Sequence, residues 1–350
     1  MSSPISLTDP TTVPTYSPTA FQRFIESLLF DARDAVFVRL WLRSFVLVGA
    51  VIGLTFWKFS WWAAPFVFAF QVAWMAPPVI LMLHNTMHRP FFKRWRFMNR
   101  VVPYTSSALF GIPTGYMEHH VGMHHQENNL RADLSSTMRF DRDNFFHWLL
   151  YVARFLFLIP VELTSYLVKK GRAPFAIRAI SSDLVHLLCM AALCFVNWQA
   201  TVVCFVVPYL AVRFAMMAGN WGQHAFIDPS RPGDSYANSI TCINSPYNAR
   251  CFNDGYHIGH HVKQNRHWSE MPADFLANLE RYKKEGCVVF HGVDFFMVSV
   301  LLWTKQYQFL ASRFVRMPGD ERTDAEIVDF LKSRTRAISD DVPEGVVMNA

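Results

Sequence analysis

Four apolar runs constrain what this chain can fold into more than any other feature: residues 40–57, 63–83, 184–196 and 200–217. A segment in lipid must pair every backbone polar group internally, and about twenty apolar residues wound as a helix do so across a bilayer. The first two runs are joined only by Lys58-Phe59-Ser60-Trp61-Trp62 and the last two by Asn197-Trp198-Gln199. Linkers this short force each pair into an antiparallel hairpin. The expected architecture is therefore an all-α membrane protein with four transmembrane helices in two hairpins.

Composition agrees. Of 350 residues, 52% are hydrophobic and 17% charged, with a mean hydropathy of +0.14, too apolar for a soluble domain of this size. The net charge of +6 is scattered among aromatic and aliphatic runs, which points to a lipid bilayer and not to nucleic acid as the partner. The six cysteines (Cys189, Cys194, Cys204, Cys242, Cys251 and Cys287) include no C-x-x-C pair, so neither a disulfide framework nor a zinc ribbon is indicated. The interior shows no linker or repeat. The expected organisation is a disordered Ser/Thr/Pro-rich tail over residues 1–20, distinct from a signal peptide, a membrane domain over 21–317, and a polar cytosolic tail over 318–350 with a short amphipathic stretch near 327–331.

Each hairpin returns the chain to its starting side. The segments outside the hairpins, all on that side, carry the bulk of the Lys and Arg, among them Arg33, Arg39, Arg89, Lys93, Arg94, Arg96, Arg100, Lys169, Lys170 and Arg172. The positive-inside rule makes it cytoplasmic, termini included. A fifth apolar run, 145–160, contains His147 and Arg154 and reads as an interfacial helix. Within the spans, His186 has one polar neighbour, Asp183, and Arg213 lies close enough to a helix end to snorkel. Both read as ordinary residues.

Nine of the fourteen histidines fall into four groups. They are His84 with His88; His120 with His124 and His125; His257 with His260 and His261; and His224, one turn after Asn220. Residues three or four apart on a helix share a face, so His84 with His88, His120 with His124, and His257 with His260 and His261 can each offer imidazoles to one metal or to a pair of metals. His125 points to the side of its pair's face, suiting a bridge toward a second ion. An even number of spans separates any two groups, which puts all of them at one membrane surface. Nine imidazoles exceed the four ligands of a zinc site, so two ions are implied, and neutral nitrogen suits iron, copper, nickel or zinc. The absence of H-E-x-x-H and of E-x-x-H argues against a zinc protease and a carboxylate-rich di-iron bundle. The remaining histidines, His119, His147, His186, His267 and His291, read as hydrogen-bonding or interfacial groups.

The order H-x-x-x-H, H-x-x-x-H-H, N-x-x-x-H, H-x-x-H-H around two hairpins resembles the membrane fatty acid desaturase and hydroxylase family from about residue 40 to 268. The resemblance implies a four-helix stem beneath a cytosolic helical cap holding a di-iron site. It implies nine ligands to two iron ions: His84, His88, His120, His124, His125, His224, His257, His260 and His261, with Asn220 holding a metal-bound water. Box one has three intervening residues, as does the first pair of box two, which departs from the stearoyl-CoA desaturases. Box three opens with His257 where front-end desaturases usually carry Gln.

The same resemblance implies O₂-dependent removal of hydrogen from a fatty acyl chain, whether lipid-, CoA- or carrier-linked or a free acid. Electrons would come from cytochrome b5 or a ferredoxin with its reductase, because the chain has no G-x-G-x-x-G, cysteine cluster or haem motif of its own. Gly255-Tyr256 before box three and His267-Trp268 after it look most like acyl desaturases. Alkane or acyl hydroxylation and decarboxylation to a terminal alkene use the same ligands. A histidine-rich metal transporter is the non-enzymatic alternative, but transporters place their ligands near mid-membrane. The endoplasmic reticulum and the bacterial inner membrane both satisfy the topology.

Overall fold

The computed structural model describes residues 5–14 and 19–339. The chain divides into two compact units. One comprises Thr12–Val121 and Leu163–Phe214; the other comprises Met1–Thr11, Gly122–Glu162 and Ala215–Ala350.

Three helical stretches are long and apolar enough to cross a membrane: Ala32–Trp57, Trp61–His88 and Ala173–Gln223. The third runs for 51 residues, roughly 76 Å at 1.5 Å per residue against about 30 Å of hydrocarbon. It is broken at Asn197, whose φ of −159° and ψ of 95° leave the helical region. The Asn197 side chain accepts the Ala200 amide at 3.1 Å, so this residue caps the start of a new helix. The break falls in Asn197-Trp198-Gln199, between the third and fourth apolar runs. The helices Phe145–Phe157 and Ile159–Lys169, covering the run expected to lie at the interface, bend by 68° where they meet.

In the first unit Trp61 meets Phe59 edge to face at 4.8 Å and lies 6.2 Å from Trp198, next to the break at Asn197. Both spanning stretches depart from α geometry just before prolines. The π segment Ala69–Met75 precedes Pro77 and Pro78, and the π segment Val202–Val206 precedes Pro208. Proline lacks the N–H that would bond four residues back, so Pro208 frees the carbonyl of Cys204. The buried Gln71 amide donates to that carbonyl at 2.9 Å and also to the Leu109 carbonyl. At Gly111 (φ +70°) a Cβ would meet the Tyr209 backbone at 2.3 Å, so the close approach of these segments requires glycine.

Arg213 does not snorkel. It is buried, pairs with Asp183 at 3.6 Å and stacks over the Tyr209 ring at 3.9 Å. Asp183 also accepts the Thr114 hydroxyl, and His186 meets Tyr209 edge to face at 5.6 Å. A buried charge is costly unless it is paired, and Asp183 with the Tyr209 ring supplies that pairing.

The described chain is mostly helical, and the second unit adds one short two-stranded sheet. Ile240–Ile243 (β1) pairs in parallel with Val288–His291 (β2), with Ile240 opposite Val288. Parallel strands need a long crossover, and this one carries the helix His257–Val262. A Cβ at Gly255 would lie 2.3 Å from the Cys242 carbonyl, so glycine lets that helix start hard against β1.

Of the segments expected as tails, residues 1–4, 15–18 and 340–350 lie outside the described residues, and the described parts make specific contacts. Asp9 is 7% exposed; its carboxylate accepts the Asn244 amide at 2.7 Å, the Tyr256 hydroxyl at 2.6 Å and the Asn248 side chain at 3.1 Å. Asn253 donates to the Pro10 carbonyl. At the other end, Thr323 and Glu326 form a capping box that starts the helix Asp324–Ser333, whose Ile327, Val328 and Leu331 join a core with Phe290, Val298 and Leu310. Composition averages over a segment, whereas one buried carboxylate or one apolar stripe suffices to dock it.

Candidate metal centre

The structure brings the expected histidines together by unit. In the first unit, His84 and His88 lie one turn apart at the end of Ala76–His88, and the His120 ring stands 4.6 Å from His84 and 5.1 Å from His88. Arg89, next in sequence, pairs with Asp31 at 2.6 Å and with Asp34 at 3.4 Å, fixing the helix end that carries the pair.

In the second unit, His124, His224, His257 and His261 are buried, and one ring nitrogen from each lies within 4.8 Å of the others. His261 Nε2 is 3.0 Å and His224 Nε2 3.3 Å from His257 Nε2. Nitrogens bound at about 2.0–2.1 Å to one ion are at most about 4.2 Å apart, and the 3.0 and 3.3 Å separations around His257 fall within that span. His125 and His260 form a further pair, Nε2 to Nε2 at 3.1 Å.

A π segment, His120–His124, covers the first pair of box two, and His124 gathers with residues more than ninety positions away. Within box three, His257 and His261 face the four-nitrogen cluster while His260 faces His125.

Groups behind the imidazoles decide what they present. His124 Nδ1 lies 2.6 Å from the carboxylate of Asp133, which is fully buried. A carboxylate only accepts, so that nitrogen carries the proton and Nε2 keeps its lone pair for the cluster. Asp133 is itself fixed by the amides of Asn129 and Ser135 and by the Ser135 hydroxyl. His224 Nδ1 faces the Asn238 carbonyl at 2.8 Å, which sets the same tautomer. Burial pushes His224 down to about 3; the nearby His124 adds to this, and the Asn238 carbonyl opposes it. Neutral imidazole is the form that binds a metal.

Asp133 and Asn238 were not singled out in the sequence. The signal lay in Asn128-Asn129, both left-handed (φ +49° and +61°), which turn the chain so that Asp133 returns toward His124. Asn220 does not partner His224 through its side chain. Its amide donates to the Tyr151 hydroxyl at 2.6 Å and to the Ser135 carbonyl at 3.2 Å. Arg142, fully buried, donates to the carbonyls of Ala225, Phe140 and Arg334, pinning the turn after His224. Two of the histidines set aside have local roles: His267 caps Trp268–Glu270, and His147 accepts the Asp141 amide.

Long apolar helices and buried histidine groups of this kind define a membrane-associated protein able to hold metal. The family model for fatty acid desaturase matches residues 60–292, more than half of the chain, and the chain belongs to that family. It is thereby an oxidoreductase of fatty acid metabolism. No curated protein matches it.

Proposed function

We propose that the protein is an O₂-dependent di-iron desaturase that introduces a double bond into a fatty acyl chain. The observation that carries this reading is the buried four-histidine cluster in a chain of the desaturase family, with two imidazoles held as neutral Nδ1–H tautomers. Its nine ligands would be His84, His88, His120, His124, His125, His224, His257, His260 and His261. When bound, the two irons supply O₂ activation and hydrogen removal from an unactivated carbon.

The chain's own residues supply geometry. Asp133 and the Asn238 carbonyl orient His124 and His224, and Arg142 pins the turn after His224. Tyr151 holds the Asn220 amide, leaving the other end of that side chain to orient a polar group. Four spans, with Asn197 as the turn of the second hairpin, would keep the histidines on the cytosolic side. His88 ends one spanning stretch and His224 directly follows another, which suits a surface-level site better than a mid-membrane transport site. Electrons would arrive from cytochrome b5 or a ferredoxin.

The test is a lipid and hydrocarbon profile of a host expressing the wild-type chain beside His260→Ala. New double bonds that vanish in the variant are expected. Alcohols or terminal alkenes would move the assignment to hydroxylation or decarboxylation, and identical profiles would overturn it.

A further inference from the structure

The unit that carries His84, His88 and His120 also presents a preformed aromatic and basic surface. Loop 92–99 is closed by one side chain: Asn99 Oδ1 accepts the Phe92 amide at 2.9 Å and Asn99 Nδ2 donates to the Phe92 carbonyl at 3.1 Å. The loop is tied to the end of the helix Ala20–Leu28, where the amides of Lys93 and Arg94 donate to the Leu28 carbonyl at 2.8 and 3.0 Å. Leu29 and Phe92 form an antiparallel bridge beside that contact.

This frame turns five consecutive residues outward. Lys93, Arg94, Trp95, Arg96 and Phe97 are all exposed, Trp95 by 52% and Phe97 by 61%. Trp95 adopts φ +54°, which a bulky residue takes only where the surroundings impose it. Its ring meets Phe24 edge to face at 5.6 Å, and Phe21, Phe24 and Phe30 are exposed as well. Arg100 extends the positive charge, and no acidic residue occurs between Arg89 and Glu118.

We propose that loop 92–99 and the helix Ala20–Leu28 form a docking surface for anionic phospholipid head groups. The loop follows a few residues after His88, where one spanning stretch ends, and the helix leads into another at Ala32, so both lie at the depth of the membrane interface. At that depth aromatic rings sit among head groups and each nearby cation contributes about fivefold to affinity for an anionic lipid. An acidic protein would match the cations but leave the rings in water, so the aromatic half of the surface selects lipid. This proposal rests on membrane association alone and needs neither iron nor desaturation.

The experiment is native mass spectrometry of the full-length protein released from nanodiscs of equal phosphatidylglycerol and phosphatidylcholine. Wild type should retain phosphatidylglycerol over phosphatidylcholine by about tenfold or more. The triple substitution Lys93→Gln, Arg94→Gln, Arg96→Gln should abolish the preference while helix content by circular dichroism stays unchanged. Lys283→Gln with Lys284→Gln, exposed cations elsewhere, should leave it intact. Equal retention of the two lipids by wild type, or a preference that survives in the folded triple variant, overturns the proposal. Product profiles are read separately, so loss of the desaturase reading would leave the lipid preference standing.

Discussion

His124 Nδ1 and Asp133 Oδ2 face each other across 2.6 Å with both side chains sealed from solvent, and this contact fixes which nitrogen His124 turns toward the cluster. Removing the carboxylate should loosen the imidazole and lower its basicity as a ligand. Asp133→Asn should weaken metal affinity roughly 10–100-fold, as is usual for groups that orient a ligating histidine. A titration with Co²⁺, followed by its ligand-field absorption, reads this without turnover. An unchanged affinity would remove Asp133 from the site's design.

Acid should destabilise the metal-free protein through His224. Its folded value of about 3 lies below the ordinary 6.5, because burial penalises the cation. The unfolded chain therefore takes up a proton first. The stability contributed by keeping His224 neutral is complete above about pH 6.5 and is lost as pH falls toward 3, by an amount on the order of a few kcal/mol. Melting temperatures of the chelator-treated protein should drop between pH 7 and pH 5, and His224→Gln should flatten that slope.

The Gln71 amide answers a proline. Gln71→Leu strands the Cys204 carbonyl that Pro208 leaves without its helical partner, at a cost of about 1–3 kcal/mol. In a Pro208→Ala background a backbone N–H returns at position 208, and the same substitution should cost less. Unfolding in detergent across the four combinations measures this coupling, and strict additivity would rule the link out.

Asp9→Ala should loosen box three from outside. Three donors, including the Tyr256 hydroxyl directly before His257, lose their acceptor together. Hydrogen exchange across residues 244–262 should quicken in the variant, while exchange in the helix Ala35–Trp57 stays as in wild type. Unaltered exchange near box three would show that the N-terminal segment merely rests on the surface.

Much of the architecture is written in local pattern. Apolar runs of bilayer length and the short breaks at Lys58 and Asn197 are statements about backbone hydrogen bonding in lipid, and they hold whatever the chain packs against. The histidine spacing likewise marks metal chemistry before any fold is known. Tertiary structure decided the rest. Spacing left open whether each histidine group serves one metal or two; packing placed His124 with His224, His257 and His261, and turned His260 to His125. The Asn128-Asn129 pair signals only the turn that returns Asp133 toward His124, and nothing local identifies Asn238, whose carbonyl reaches its histidine only after the chain has folded back on itself. Composition averaged over the terminal segments does not reveal that Asp9 is buried, while the amphipathic stretch near 327–331 does correspond to buried Ile327, Val328 and Leu331. Sequence determines which groups must be satisfied, by lipid length, proline or metal; only the folded chain determines which partner satisfies each, because the partners meet across long stretches of intervening chain.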